Sequence, residues 1–397
     1  MLLFYNMENI PSKKILTALL LGATLYIIFF VMPSGENIST EVVTHIPGAS
    51  QMSIGAGDIE MVADGLDTVW EIAFLPAGDV LATERGGNLV RITGMGREKH
   101  IFSIPGVYQH PKGENGLMGM ALHPDFSNNH WVYLYYTARS NELIFSRIAR
   151  YTLTESGLND RILIFESRAG RMHYGGRMAF GPDNFLYFTS GDAGDKKLAQ
   201  DTASLAGKIL RVKDNGDIPE DNPFNNAIFS YGHRNPQGIA WDNEERFWAT
   251  EHGEAGIIGK SEQKSGLDEI NLIKIAGNYG WPDIRGVDKK YNITPPIAIP
   301  ASGITWAPAG LAYYNGYLFF GGLRGKALYQ AKISPDGKMG SFYAHFENEF
   351  GRVRAVKTGP DGYIYFSTSN RDQKGAESAP SDKIFRIRAE ALIQKYP

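Results

Sequence analysis

No cysteine occurs anywhere in the 397 residues. That absence removes disulfide bridges, thiolate zinc sites, cysteine nucleophiles and a lipid-modified cysteine anchor, although it does not fix the compartment, since an exported protein can simply avoid the residue. An excess of one charge is missing too: 40 Lys and Arg stand against 43 Asp and Glu, a net −3, which gives no bias toward nucleic acid or an anionic membrane surface. Long helical patterns are nearly absent. So are a G-x-S-x-G elbow, an H-E-x-x-H helix and a glycine-rich loop opening a helix, and with them serine hydrolysis, zinc-peptidase chemistry and a Rossmann nicotinamide site lose support.

What is present is 45 Gly, 20 Tyr and 21 Phe, a mixture that favours many short strands joined by tight turns. One long apolar run stands apart. Residues 15–32, ILTALLLGATLYIIFFVM, carry no charge, follow Lys13 and Lys14 and end in the breaker stretch PSGEN. Eighteen apolar residues just reach spanning length and no small-x-small cleavage pattern follows, so an uncleaved anchor is preferred over a cleaved signal peptide or a buried core helix. The lysines before the run would stay inside and place the remainder outside the cytoplasmic membrane. The expected organisation is 1–33 as anchor or signal, 34–57 as linker and 58–397 as the functional domain.

That domain repeats itself. Segments 70–92, 117–137, 175–192, 236–253, 308–333 and 353–370 share one grammar: a small or glycine-containing start, an apolar strand, a turn with Pro, Asp, Asn or Gly, and a second strand of aromatic and apolar residues. Each reads as a hairpin. Six hairpins at roughly blade spacing, with sequence between for two more strands each, predict an all-β, six-bladed β-propeller of four-stranded blades. A β-sandwich would supply strands but would not repeat one hairpin six times.

In a propeller the starts of the innermost strands face the central channel. The segments GENGLMG (113–119), HYGGR (173–177), GHRNPQG (232–238), GLRG (322–325) and GRVR (351–354) occupy those starts. They bring Arg177, Arg234, Arg324, Arg352 and Arg354 toward one cavity, where like charges cost several kcal/mol at an effective dielectric of about 20 unless an anion sits among them. An anionic ligand is therefore expected, against the alternative that each arginine pairs with a strand-end carboxylate such as Glu84, Asp192 or Glu251. His173, framed by Tyr174, two glycines and Arg177, is a candidate general base; His123, His233 and His252 read as structural. Asp268, Glu269 and Asp283, with loop carbonyls around Gly253 and the phenol of Tyr279, suit a hard, oxygen-seeking cation, so calcium is favoured over zinc or iron. Solvated turn residues are the alternative there.

HYGGR, SGDAG, AQDTASLAGKILRV (199–212), DNPF (221–224), YGHRNPQG, EHG (251–253), DEINLI (268–273), GNYGWP (277–282) and SNRD (369–372) together resemble the soluble PQQ-dependent aldose sugar dehydrogenases, the glucose/sorbosone dehydrogenase family. The likeness runs in order over roughly residues 60–390. It implies a six-bladed propeller binding pyrroloquinoline quinone (PQQ), a tricarboxylate, with calcium, and oxidising an aldose to its lactone by hydride transfer to the quinone. It implies that His173 takes the proton of the anomeric hydroxyl, that Arg234 and Asn235 contact the quinone, and that Arg352 and Arg354 bind cofactor carboxylates. Gly253 and Glu254 fall where the family holds the cofactor calcium, and Glu269 and Tyr279 where it holds a separate structural calcium. Three cofactor-side positions depart from the usual pattern: Glu114 stands for a glutamine, Arg324 for a lysine, and Glu254 follows EHG in place of proline.

The expected partners are a small-molecule sugar and an external electron acceptor, with no nucleic acid, and the membrane if the N-terminal segment is retained. Two other readings stay open: a non-catalytic propeller that binds a sugar or a protein, and a calcium-dependent lactonase, which would need a carboxylate-held metal at the channel centre.

Overall fold

Each repeat folds as a hairpin because its apolar residues are buried on both faces of the strand. Val80–Glu84 and Tyr317–Gly322 are buried at every residue, and Phe247–Glu251 likewise, as sheets packed on both sides demand. The outermost strand of the same blade as Val80–Glu84, Glu98–Ser103, is almost wholly exposed and mostly polar. The computed structural model describes residues 58–94, 96–110, 113–254, 267–284, 286, 292–301, 303–372 and 379–395, with the backbone of four short strands before residue 58.

Six antiparallel sheets follow in chain order. Their innermost strands are Val69–Phe74, Leu117–Leu122, Met178–Phe180, Pro236–Trp241, Pro308–Tyr314 and Val353–Thr358. Each of these strands contacts the next, and the sixth contacts the first, so the sheets form a closed six-bladed propeller, as the repeat count predicts. The cores lie between neighbouring blades: Tyr135, Ile148 and Phe188 belong to one apolar cluster, Trp248, Trp306 and Phe320 to another.

The first and last strands of the six-bladed ring meet in the sixth blade. Its fourth strand is Ile59–Leu66, paired antiparallel with Asp382–Arg388 in a register running from Asp382↔Leu66 to Ile387↔Ile59. Asp382, fully buried, fastens the join. Its carboxylate accepts the backbone N–H of Thr68 at 2.9 Å, the hydroxyl of Thr368 at 2.9 Å and the backbone N–H of Asn370 at 2.7 Å.

Within the stretch 34–57, Thr44–Ile46 lies parallel to Ala298–Pro300 and Ser50–Met52 parallel to Met339–His345, as fifth strands of the fourth and fifth blades. In the segment 1–33, expected as anchor or signal, only the backbone of an antiparallel pair, Ala18–Leu21 with Thr24–Ile27, is described; the rest of that segment lies outside the described residues. Among the described residues no helix is long and apolar enough to cross a membrane.

Two expectations for stability follow from this frame. Asp382→Ala strands several buried donors and should cost roughly 3 kcal/mol, read as a lower urea midpoint with an unchanged slope. His345 is buried and pairs through Nε2 with Gln330 Oε1 at 2.8 Å, and burial holds its pKa down to about 4. As pH falls below the ordinary histidine value of about 6.5, the unfolded chain takes a proton that the folded one refuses, so stability drops by an amount on the order of 3 kcal/mol by pH 4. His345→Gln should flatten that part of the stability profile measured by urea unfolding.

Candidate active site

The first functional side chain is set by close backbone approach. His173 itself has a left-handed φ of 57°, and Gly175 follows at 63°; a Cβ on Gly175 would stand 2.5 Å from the Thr189 carbonyl oxygen. At Gly191 a Cβ would stand 2.0 Å from the His173 carbonyl oxygen. Only glycine lets these two turns meet, and their meeting places Asp192 beside His173.

The Asp192 Oδ1 to His173 Nδ1 distance is 2.7 Å. The same carboxylate accepts the Gly194 backbone N–H at 2.9 Å and, through Oδ2, the Trp281 indole N–H at 2.9 Å. Burial by itself would raise the Asp192 pKa, but the bond and charge of His173 together with the Gly194 and Trp281 donors outweigh it and hold the carboxyl below its ordinary range. An ionised Asp192 accepts a hydrogen bond from Nδ1–H, which keeps that proton on Nδ1 and leaves the Nε2 lone pair to accept one. The His173 side chain keeps 15% of its surface exposed, and the two residues that follow it line the adjoining cavity.

Tyr174 and Gly175 line a cavity of about 410 Å³ at the channel mouth, within the usual range for a small-molecule site. Four guanidinium groups, Arg85, Arg324, Arg352 and Arg354, face two carboxylates there, Glu114 and Asp372. Asp372 Oδ2 receives Arg352 Nε at 3.0 Å, its NH2 at 2.7 Å and Arg354 NH2 at 2.9 Å. Burial, with Arg352 and Arg85 alongside, pulls Arg354 down to about 10 against the attraction of Asp372. Arg85 is 4% exposed, and its Nε is a buried atom with no hydrogen-bond partner among the described residues; burial lowers its pKa. His252 Nε2 is buried and unpartnered as well, and burial drives that imidazole down to about 3, so it is neutral. Surplus positive charge and orphaned polar atoms in one small cavity fit an anion with several oxygens.

The residues expected from sequence on the cofactor side, Glu114, Asn235, Arg324, Arg352 and Arg354, all line this cavity. Glu114 Oε2 also accepts the His173 backbone N–H at 3.3 Å. Asn235 commits its side-chain oxygen to Gly175 N–H at 3.1 Å and Gln237 Nε2 at 3.2 Å. Arg234 sits one step aside. It lines a smaller adjoining void, its NH1 reaches the His252 carbonyl at 3.4 Å, and its guanidinium lies 5.6 Å from the Trp281 ring centre.

Arg177, expected at the channel, is not there. It is buried in an ion pair with Glu71, donates Nε to the Gln237 carbonyl at 2.8 Å and lies 4.2 Å from the Trp70 ring centre. It is a strut between blades, because Glu71 on the first blade offers it a fully buried counter-charge. The carboxylates expected as arginine partners do other things: Glu84 receives the Asp67 N–H at 2.8 Å, Asp192 binds His173, and Glu251 meets His233 Nδ1 at 2.8 Å. His233, with Ser230 on its other nitrogen at 2.9 Å, is structural as expected.

The smaller void, about 20 Å³, is lined by Gly253, Glu254, Glu269 and Tyr279 together with Glu251, so the pair expected at a cofactor calcium and the pair expected at a separate structural calcium share one void. Glu269 stands directly across the ladder from Glu251. Burial first, and the charge of Glu251 second, push Glu269 up to about 8. A space of that size admits about one water or ion, and a buried carboxylate beside another is relieved by a cation. Other details differ from the sequence reading. The Tyr279 phenol already donates to the Leu272 carbonyl at 2.6 Å and accepts the Lys274 N–H at 2.9 Å. Asp268 is a loop clamp, accepting Gly253 N–H at 3.2 Å and, through Oδ2, Thr305 hydroxyl, Trp306 N–H and Ala307 N–H at 2.8 Å each. Asp283 lies outside the void. Among the described residues no group of three or more His, Asp or Glu side chains converges as a metal cluster, so a cation here depends on backbone carbonyls for much of its shell.

Sequence reasoning missed Arg85, Asp192, Asp372 and Trp281 as parts of the site. A signal existed for the first three. The second strand of each hairpin returns to the end where the first began, so the residues just after Val80–Glu84, Leu186–Ser190 and Tyr363–Thr368 face the same channel mouth. Trp281 is brought in by a loop with no repeat to flag it.

Comparison with known proteins agrees with this arrangement. Residues 66–377 match the family described as Glucose / Sorbosone dehydrogenase. The chain is 31% identical over 353 residues to the aldose sugar dehydrogenase YliI of Escherichia coli, covering 78% of this chain and 90% of that one. With quinoprotein glucose dehydrogenase B of Acinetobacter calcoaceticus it shares 30% identity over 263 residues, 58% of this chain and 53% of that one. The PQQ-bound aldose sugar dehydrogenase of Streptomyces coelicolor superposes with a TM-score of 0.75 at 35% identity, over 83% of this chain and 97% of that one. A propeller of this topology, with this cavity and a match over most of its length, belongs to the glucose/sorbosone dehydrogenase family.

Proposed function

We propose that the protein is a PQQ-dependent aldose dehydrogenase that oxidises the anomeric C–OH of a sugar to the lactone and delivers the electrons to an external acceptor. The observation that carries this reading is the His173–Asp192 pair at 2.7 Å, set beside a cavity with four guanidinium groups against two carboxylates. The names of the Streptomyces and Acinetobacter relatives supply the cofactor class. The residues present fit it. Arg85, Arg324, Arg352 and Arg354 would hold its carboxylates, and Asn235, whose oxygen is already committed, would offer its amide NH2. Bound PQQ, with calcium beside it, supplies an electrophilic carbon that accepts hydride.

The protein's own part is positional and electrostatic. His173 Nε2 accepts the hydroxyl proton, and Asp192, ionised and fixed by two further donors, stabilises the imidazolium that results. Arg234, next to the cavity, contributes positive potential where negative charge develops. Glu114 tethers the His173 backbone and moderates the surplus of arginine charge. Gly253, Glu254 and Glu269 would hold a cation, while the Tyr279 phenol, committed to Leu272 and Lys274, closes the wall of that void. The apolar run at 15–32 supports export, with the propeller outside the cytoplasmic membrane and tethered to it by the N-terminal segment where that is retained.

The test is reduction of an artificial dye by the full chain supplied with PQQ, calcium and a panel of aldoses. Sugar-dependent reduction is expected, and His173→Gln should lower kcat by about 10²- to 10⁴-fold while calorimetry shows cofactor binding unchanged. Bound cofactor with no turnover on any aldose would overturn the dehydrogenase reading in favour of a binding propeller. The cation is tested separately by melting. Removing calcium with EDTA should lower the melting temperature of the parent protein, and Glu269→Gln should abolish that dependence.

A further inference from the structure

We propose that Trp281 is a positioning residue for this reaction: its indole N–H fixes the Asp192 carboxylate that orients His173, and its ring face supports Arg234. The inference rests on the reading of His173 as the general base. One carboxylate is divided among three partners, Oδ1 to His173 Nδ1 at 2.7 Å and to the Gly194 backbone N–H at 2.9 Å, and Oδ2 to Trp281 Nε1 at 2.9 Å, the one bond to that oxygen among those to the described residues. Asp192 is 2% exposed, so water cannot replace a lost donor cheaply, and the carboxylate cannot rotate without breaking these bonds. On the other side of the indole the Arg234 guanidinium lies 5.6 Å from the ring centre, within cation–π range. Trp281 thus touches both the base's partner and the arginine expected at the quinone.

The indole is itself immobilised. Its backbone N–H donates to the Gly232 carbonyl at 2.9 Å, and its carbonyl accepts Gln200 Nε2 at 2.7 Å. Gln200 in turn exchanges two amide bonds with Asn278, each 2.9 Å. Three loops, around residues 200, 232 and 278–281, therefore lock one ring.

The charged and titratable groups facing His173 come from several elements. Asp192 pairs with its ring, Glu114 takes its backbone N–H, and Arg234, Arg354 and Glu114 surround the His252 imidazole, which also feels His173. Against that background the indole has a specific effect. Its N–H draws charge toward Oδ2, so losing it leaves more negative charge facing His173, favours the imidazolium and keeps the base protonated to higher pH.

Trp281→Phe keeps the ring over Arg234 and removes only the donor. In the full chain loaded with PQQ and calcium, the acid limb of kcat/KM should move up by about half a pH unit, and kcat at pH 7 should fall roughly tenfold, with cofactor affinity by calorimetry unchanged. A purely structural role would lower the melting temperature and leave the limb in place. A second readout needs neither turnover nor a variant: in the parent protein the Trp281 indole N–H resonance should move with the titration of His173 followed by ¹⁵N NMR. An unmoved limb in a folded Trp281→Phe, or an indole resonance indifferent to that titration, overturns the inference. If His173→Gln keeps full activity, the base reading falls and this inference with it; if His173→Gln is inactive and Trp281→Phe shows the parental limb, this inference alone falls.

Discussion

The cavity depends on ring closure, and closure depends on one antiparallel pairing between strands far apart in sequence. Ile59–Leu66 beside Asp382–Arg388 makes the sixth blade four-stranded and brings Val353–Thr358 against Val69–Phe74. Those two innermost strands carry Arg352 and Arg354 from one side and Trp70 from the other into the cavity wall. Without the pairing these residues would not share a wall, and Arg85 would lose Asp372 and Arg352 as charged neighbours. Geometry of the whole ring therefore sets the electrostatics of the site.

Within the closed ring the positive groups divide into two kinds. Arg177 has a private carboxylate in Glu71 and the Trp70 face beneath it, so it is spent on holding blades together. Arg352 and Arg354 share one carboxylate, Asp372, and Arg85 keeps a buried Nε with no partner among the described residues. Charge left over after internal pairing is what a ligand can use. The sequence shows five arginines near strand starts, and only the pairing distinguishes the strut from the binding groups.

The fold was legible because every blade carries its own copy of the signal. Apolar strand, turn and aromatic strand recur six times, so local errors could not hide the period. The site was legible where it used the same register: His173, Asn235 and Arg352 precede innermost strands, and Arg354 is the second residue of one. It was not legible where the contact spans distant loops. Arg177 and Glu71 are 106 residues apart, and Asp192 and Trp281 are 89 apart, separations at which no periodicity links the partners. Asp192 in particular reads as an ordinary turn residue in SGDAGD until the glycine at 191 is seen to press its turn onto His173. The Tyr279 phenol and Asp268 misled for the opposite reason, since their chemistry suits a cation but neighbouring backbone groups already use it.

The strand that completes the sixth blade is among the first parts of the propeller to be synthesised and pairs with nearly the last. Glu60 and Arg386, joined by an ion pair, are 326 residues apart. The four antiparallel strands of each of blades one to five can pair from neighbouring sequence as they emerge, but the last sheet must wait for Asp382–Arg388, and loop closure over such a span is slow. During synthesis the early strand is an unpaired edge, the kind of surface that chaperones cover. The cavity wall where the first and sixth blades meet thus forms after the other walls, so any ligand that bridges Trp70 and Arg354 recognises only a chain in which Asp382–Arg388 has been made and paired.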